Sequence, residues 1–348
     1  MISQFLSSDT FVQIGRLVVY VVGVLAFVGL NAAYLVLAER KGAGYIQRRP
    51  GPNEAGWGGV LQPFCDVLKL FSKQVMMPPG TDGLLYRLAP LMVLMPPLMC
   101  LVAIPFGDSV AARNLDIGLL FVFAFGSINV MALMLSGWAS RNKYSIMSAA
   151  RVVSQNVAYE IPMLLVVITV LMVTGTLNLN EIVQQQGGGF WHWNVLRVWV
   201  NPLMPVTFVI YFICMLAETN RAPFDMAEAE SELVAGAFTE YGGMGFGVFF
   251  MAEYANIVVG CSIATVLFFG GYQSPIGILS SGVWGIAWFL LKTYALIFTV
   301  IWVRWTFPRT QFYNLLNLSW KILIPISLVT LMLTGVVMKL PLLFHKVF

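Results

Sequence analysis

Eight apolar runs, each approaching or exceeding the length needed to cross ~30 Å of hydrocarbon, constrain this sequence more than any other feature. The fifth run is the shortest and has Pro202 and Pro205 at its start. The sequence therefore predicts an all-α polytopic membrane protein with about eight transmembrane helices in one integral membrane domain, 1–348. The runs cover residues 17–38, 88–106, 117–138, 157–176, 203–217, 246–269, 283–303 and 322–338.

The low charge content agrees with this interpretation. Charged residues make up 10% of the chain and apolar residues 59%, whereas a soluble domain carries about 25% charged residues. This composition excludes a cytosolic globular enzyme and a disordered chain. The first run is too long for the apolar core of a cleavable signal, and it is predicted to be a retained span.

The distribution of basic residues predicts the orientation. With eight spans, segments 39–87, 139–157, 218–245 and 304–321 lie on one side and carry 14 Lys and Arg, whereas the other side carries 5. Basic loops face the cytoplasm, or the equivalent compartment of an organelle, so both termini are predicted on the outer side. The same rule accounts for the net charge of +4 without a nucleic-acid partner.

The longest inter-span segment, 39–87, contains a predicted amphipathic helix at about 58–75. Its apolar positions share one helical face, which fits either the membrane surface or a partner protein. The preceding segment, from Arg49 through Pro50 and Pro52 to Gly59, is rich in turn residues and predicts a rigid loop held against a partner. The apolar face comprises Val60, Phe64, Val67, Leu68, Phe71 and Val75, and the polar stripe comprises Gln62, Asp66, Lys69 and Lys73.

Acidic residues concentrate between positions 218 and 253. At helical spacing, Asp225, Glu228 and Glu232 would share one face, where like-charge repulsion favours retention of protons near neutral pH. A solvated acidic loop is the alternative, but this cluster joins two spans and continues into them. The acidic residues are Glu218, Asp225, Glu228, Glu230, Glu232, Glu240 and Glu253.

Three ionisable residues fall within or next to spans, namely Glu160, Glu253 and Lys292. Each costs about 2.5–3.5 kcal/mol at the bilayer centre, so each should face protein or water and be paired or protonated. The pattern favours a proton or ion path. A buried ion pair that fixes helix packing is the alternative.

The four cysteines are far apart and lack CxxC or CxxH spacing, so a zinc or iron–sulfur site built by this chain alone is disfavoured. No P-loop or GxGxxG motif is present. The chain is therefore predicted to bind no cofactor alone.

Several segments in order resemble the family of membrane subunits that build the quinone chamber of respiratory complex I, the NADH:quinone oxidoreductase. The resemblance covers nearly the whole chain, and its longest motif is the acidic one. The segments are 39–41 (ERK), 49–53 (RPGPN), 61–69 (LQPFCDVLK), 138–145 (WASRNKYS), 158–160 (AYE), 217–236 (AETNRAPFDMAEAESELVAG), 239–241 (TEY) and 252–254 (AEY).

The resemblance implies a subunit that is not catalytic alone. It implies that the chain joins a hydrophilic redox arm to a membrane arm and helps to admit ubiquinone or menaquinone as substrate. Iron–sulfur clusters and FMN are then expected in partner subunits. The implied partners are the hydrophilic quinone-site and iron–sulfur subunits, small membrane subunits, antiporter-like subunits and membrane lipids. The implied location is an energy-transducing membrane, preferably the bacterial inner (plasma) membrane, with the mitochondrial inner membrane as the alternative.

The resemblance also implies roles for individual residues. Arg40, Arg49 and Asp66 would line or shape the quinone chamber. Arg151 would be a counter-charge to Glu160, and Lys292 is a candidate for intramembrane coupling. The implied acidic link to the proton-pumping subunits comprises Glu160, Glu218, Asp225, Glu228, Glu230, Glu232, Glu240 and Glu253.

The sequence departs from the family pattern at two places. Gln311 and Tyr313 replace an Arg and an Asp that many relatives carry, and Pro50 replaces a basic residue, with Arg48 as an extra one. No role is assigned to residues 310–314. The rival functions are the equivalent subunit of a ferredoxin-, deazaflavin- or hydrogenase-linked ion pump, a stand-alone ion transporter, and a purely structural anchor.

Overall fold

A computed structural model of the chain describes residues 8–108, 114–198, 201–226, 236–277 and 282–347. Within these ranges all regular structure is helical, with short 3₁₀ turns and one π-helical segment, Leu318–Leu323, between the last two helices. The helices are α1 (Ser8–Ile46), α2 (Gln62–Ser72), α3 (Gly83–Ala103), α4 (Gly118–Ala139), α5 (Lys143–Thr174), α6 (Leu179–Gln185), α7 (Met204–Glu218), α8 (Gly243–Phe268), α9 (Val283–Thr306), α10 (Phe312–Asn317) and α11 (Ile324–Val347).

Seven helical segments in the described part of the chain are long and apolar enough to cross a membrane, and α7 is a shorter apolar helix of 15 residues. These seven segments and α7 together correspond one to one with the eight predicted runs. The prediction of an all-α polytopic membrane protein is therefore confirmed, and α2 lies within the segment predicted as an amphipathic helix.

The fourth span is longer than predicted. Residues 143–156, expected in a loop, form the first part of α5, which has 32 residues and therefore extends about 48 Å. Asn142 caps its start by accepting from the Tyr144 amide at 3.0 Å, and Gly175 ends it with a left-handed backbone. Its buried face carries Ser145, Ser148, Val152 and Gln155 at helical spacing. The two serines and Gln155 lower the hydropathy of this segment, so a search for apolar runs misses its amphipathic pattern.

The helices pack into one bundle around α5 and α8. Helix α5 packs against α4, α7 and α11, and α8 packs against α1, α3 and α9. Their buried side chains form two apolar clusters. The large cluster includes Tyr159, Met215 and Phe268, and the small cluster includes Val93 and Phe249.

Candidate functional site: a row of buried charges

A buried arginine lies where α1, α8 and the loop after α7 meet. The Arg221 side chain is 4% exposed. Its Nη1 lies 3.3 Å from Oε2 of Glu39 on α1, and its Nε lies 3.1 Å from Oε1 of Glu253 on α8. One guanidinium therefore bridges two carboxylates from different helices, at a depth where an unpaired charge would be costly.

Two more side chains complete this charge cluster. Arg304 on α9 also donates to Glu39, and the Tyr254 hydroxyl donates to Glu39 at 2.6 Å. The Tyr254 ring lies 4.3 Å from the Arg221 guanidinium, in cation–π contact. Burial lowers the pKa of Arg221, but Glu253, Tyr254 and Glu39 together raise it by more, so this arginine stays protonated.

The loop that carries Arg221 is fixed by its backbone. Gln155 on α5 donates to the carbonyls of Ala217 and Phe224, at 2.7 and 2.8 Å. From the segment after α9, the Thr310 hydroxyl donates to the Pro223 carbonyl at 2.9 Å. These bonds tie the loop to two other parts of the bundle and hold Arg221 in place.

Glu218, the last residue of α7, lies between the two apolar clusters. It lines a cavity of about 50 Å³ whose apolar wall belongs to the large cluster. It also lines a second cavity of about 20 Å³ whose apolar wall belongs to the small cluster and which reaches Glu253. Asn129 of α4 and Asn256 of α8 line both cavities. The boundary between the clusters is thus a polar seam.

Glu160 on α5 extends this seam. The Ser127 hydroxyl of α4 donates to Glu160 Oε1 at 2.6 Å, and Glu160 lies near enough to Glu218 for the two carboxylates to repel each other. Gly126, beside Ser127, leaves room for Glu218, because a Cβ there would lie 3.2 Å from Glu218 Oε1. Helix α4 thus holds one carboxylate and accommodates the other.

Together these groups form what we call the charged row, which crosses the bundle from α9 to α5. Salt bridges connect its first four members. The smaller cavity is lined by both Glu253 and Glu218, and Glu160 lies close enough to Glu218 for their charges to interact. Of the predicted acidic link, the structure brings Glu160, Glu218 and Glu253 into this row. In order, the row comprises Arg304, Glu39, Arg221, Glu253, Glu218 and Glu160.

Two of the three predicted chamber residues are in contact at one end of the row. Arg40 Nη1 lies 2.7 Å from Asp66 Oδ2 on α2, and the two side chains are 51% and 33% exposed. Gln62 donates to the other Asp66 oxygen at 3.1 Å. Since Arg40 follows Glu39, this partly exposed pair adjoins the buried row.

The third predicted chamber residue, Arg49, lies in a folded loop. Its Nε donates to Gln47 Oε1 at 2.6 Å, and its backbone amide donates to the Gly44 carbonyl at 2.9 Å. Farther on, Gly59 has a φ of 84°, and a Cβ there would lie 1.9 Å from the Pro52 carbonyl oxygen. The loop between α1 and α2 is therefore compact and depends on glycine at this position.

Two further predicted acidic residues, Glu240 and Asp225, have contacts near other parts of the bundle. Glu240 accepts from the Asn142 side chain at 2.6 Å, near the start of α5. The backbone carbonyl of Asp225 accepts from Arg309. Glu228, Glu230 and Glu232 lie outside the described residues.

The neighbours given for Arg151 and Lys292 are not members of the charged row. Arg151 precedes Glu160 by nine residues on α5, so it lies about 13 Å away along the axis and on the opposite side of the helix. Its guanidinium lies 5.8 Å from the Phe312 ring centre.

Lys292 donates to three backbone carbonyls just beyond α8, at 2.6–2.9 Å. Those carbonyls lie about 22 Å along α8 from Glu253.

Sequence reasoning assigned no role to several members of the site. Glu39 and Arg221 appeared only within motifs, at 39–41 and 217–236. Because Arg304, Tyr254 and the polar residues of α4 are separated by long stretches of chain, only the fold brings them together. In α4, however, Ser127 and Asn129 interrupt the apolar middle of the span, and this interruption is a usable signal.

The exposed face of α2 agrees with its predicted amphipathic pattern. Phe64, Leu68 and Phe71 are 48%, 68% and 64% exposed. The opposite side packs on the bundle, where a Cβ at Gly247 would lie 2.9 Å from Leu70 Cδ1. In the described part of the chain, His, Cys, Asp and Glu form no group of three that could hold a metal ion.

This fold and this site define an integral membrane protein built from a helical bundle with a buried row of ionisable groups. The sequence model of the family described as NADH dehydrogenase matches residues 19–335. The chain is 59% identical to the H subunit of NADH-quinone oxidoreductase from Desulfotalea psychrophila, over 89% of this chain and 93% of that protein. It is 43% identical to the protein of the same name from Flavobacterium psychrophilum, over 92% and 96%.

A third relative, from Polaromonas naphthalenivorans, has the same name and is 44% identical over 92% of this chain and 90% of its own length. The chain therefore belongs to the NADH dehydrogenase family, whose members include these H subunits of NADH-quinone oxidoreductase. It is a membrane subunit of an oxidoreductase complex, and the predicted family is confirmed.

Proposed function

We propose that this chain forms part of a quinone-binding chamber and couples quinone reduction to proton translocation in an NADH:quinone oxidoreductase. The observation that carries the proposal is the course of the charged row across the bundle. It begins beside the partly exposed Arg40–Asp66 pair and continues through buried and half-buried groups to Glu160 on the other side of the bundle.

The chemistry at the Arg40–Asp66 end suits a quinone chamber. Reducing a quinone to a quinol consumes two electrons and two protons, and it places developing negative charge on the quinone oxygens. A guanidinium supplies donors for such oxygens, and Arg40 and Asp66 are each exposed enough to reach a bound molecule. The electrons would come from partner subunits that carry iron–sulfur clusters and FMN.

The inner half of the charged row is suited to transmitting a change in charge. Glu39 and Glu253 share Arg221, so a change in the charge of one carboxylate alters the field at the other. The Glu218 and Glu160 carboxylates lie close enough to repel each other, so a change in the charge of one alters the field at the other. In the proposal, a charge change near Arg40 is thus transmitted to Glu160 and then to antiporter-like subunits.

The remaining assignments complete the proposal. Asp225, Glu228, Glu230, Glu232 and Glu240 also belong to the acidic link to the proton-pumping subunits. The chain lies in the bacterial inner membrane with both termini on the outer side. The counter-charge role of Arg151 toward Glu160 and the coupling role of Lys292 remain predictions.

Measuring quinone reductase rate and proton uptake together in reconstituted vesicles tests the proposal. Glu218→Gln retains shape but removes the titrating group, so both activities should fall together while the complex still assembles on a native gel. The same result is expected for the triple variant Asp225→Asn/Glu228→Gln/Glu232→Gln. Wild-type values of both activities in both variants would reduce the acidic residues to a packing and solvation role.

The related ion pumps that use ferredoxin, a deazaflavin or hydrogen are the alternative. The names of the relatives favour a quinone-linked complex over these. Isolating the assembled complex decides between them, because the peripheral subunits that co-purify identify the electron donor.

A further inference from the structure

Asn129 is an amide at the centre of an apolar helix. Helix α4 runs from Gly118 to Ala139, so Asn129 lies at its midpoint, near the middle of the bilayer. Its side chain is 6% exposed, and within the described residues its Oδ1 accepts no hydrogen bond. A buried acceptor without a partner costs about 1–3 kcal/mol, so such an atom calls for a ligand.

The two cavities provide the space for that ligand. Asn129 lines both, and their volumes are about 50 and 20 Å³. A water molecule needs at least about 10–15 Å³ and two to four polar partners. Glu218 and Asn256 line both cavities with Asn129, and Glu253 lines the smaller one, so polar partners are present on several sides.

We infer that Asn129 anchors ordered water that connects Glu218 to Glu253 and so closes the gap in the middle of the charged row. The inference rests on the proposed function and extends it to a positioning residue and its ligand, water. A bridging water can pass a proton by releasing one as it accepts another, which leaves the water unchanged. No oxidant or further reactant is required.

Three substitutions at Asn129 distinguish an anchor for water from a direct role of the amide. Asn129→Leu fills the space and removes the polar atom, so it should dry the seam and lower both quinone reductase and proton uptake about tenfold or more. Asn129→Ser keeps an anchor and should retain most of the activity. Asn129→Ala removes the amide but leaves room for more water, so its loss should be at most about threefold.

The order of the variants decides the outcome. If Asn129→Ala is as impaired as Asn129→Leu, the amide acts directly and the inference is wrong. If Asn129→Leu is as active as the wild type, no water link is needed there and the inference is also wrong. A native gel for each variant shows that the complex is assembled.

Cryo-electron microscopy of the wild-type complex, at a resolution that shows ordered water elsewhere in the bundle, gives an independent readout. We expect water density within hydrogen-bonding distance of Asn129 Oδ1, and a dry cavity there would overturn the inference. Glu218→Gln distinguishes the two levels of proposal. If it abolishes coupling while Asn129→Leu does not, only the water inference fails. If Glu218→Gln has no effect, the proposed function itself fails.

Discussion

Arg221 Nη1 lies 3.3 Å from Oε2 of Glu39, although 182 residues separate the two positions in sequence. Both side chains are almost fully buried, at 4% and 7% exposure. The pair therefore joins the loop after α7 to the first helix of the bundle, and Arg221 also reaches Glu253 on α8. A single guanidinium is the centre of the first half of the charged row.

Removing that guanidinium should destabilise the protein strongly. Arg221→Leu leaves Glu39 and Glu253 buried with less positive charge beside them, and breaking a buried pair costs about 3–5 kcal/mol. We expect a clearly lower midpoint of thermal inactivation for the assembled complex. The matched control is Arg141→Ala, because Arg141 pairs with Asp82 at 2.7 Å but is 61% exposed. Such a surface pair contributes less than about 1 kcal/mol. Equal midpoints for the two variants would contradict the structural role of Arg221.

The sequence predicted the spans and the acidic residues because these depend on local composition. The register of α7 against α8, and hence the contact of Arg221 with Glu39 and Glu253, depends on packing between distant segments. Hydropathy carries no information about such pairing. The start of α5 was missed for a related reason, since Ser145, Ser148 and Gln155 face protein rather than lipid.

Ser127 should position Glu160 for charge transfer. Its hydroxyl donates to a Glu160 oxygen at 2.6 Å, and a hydrogen bond to a charged group contributes about 1.5–3 kcal/mol. Ser127→Ala should lower quinone reductase rate and proton uptake together, whereas Ser127→Thr keeps the hydroxyl and should restore both. Ser136→Ala is the control, because the Ser136 hydroxyl donates to the Leu133 carbonyl of its own helix. Wild-type activity of Ser127→Ala would show that Glu160 needs no such donor.

Arg49 and Gly59 test two properties of the loop between α1 and α2. Arg49→Ala removes a side chain whose hydrogen bond stays within the loop, to Gln47. It should lower quinone turnover while the complex assembles and the upstream donor half-reaction persists. Normal Michaelis parameters for Arg49→Ala with a native-length quinone would show that the charge of Arg49 serves topology alone.

Gly59→Ala places a Cβ against the Pro52 carbonyl and should disrupt the loop and assembly together.

Lys292 offers a test between coupling and helix capping. Its ammonium group donates to the carbonyls of Phe269, Gly271 and Gln273, and it lies 4.4 Å from the Trp193 ring centre. Lys292→Met leaves three acceptors without this donor, so the midpoint of thermal inactivation should fall. If capping is its whole role, the ratio of protons to quinones stays at the wild-type value. A lower ratio in an assembled, folded complex would instead support the predicted coupling role.

Cys65 provides a direct test of the predicted orientation. It lies on α2 and is exposed, whereas Cys100, Cys214 and Cys261 are buried in the bundle. A membrane-impermeant maleimide should therefore label this chain mainly at Cys65. Because 39–87 is predicted on the cytoplasmic side, labelling should occur in inverted vesicles and be absent in right-side-out vesicles.

Two controls make this labelling experiment decisive. Cys65→Ser should abolish labelling in inverted vesicles, since the other three cysteines are buried. A second reporter, Glu54→Cys in the Cys65→Ser background, covers the case in which lipid or a partner protein covers α2, because Glu54 is exposed in the preceding loop. Labelling of Glu54→Cys without labelling of Cys65 would indicate that α2 is covered in the membrane. Labelling of either position from the outer face would contradict the predicted orientation, because both positions belong to the most basic inter-span segment.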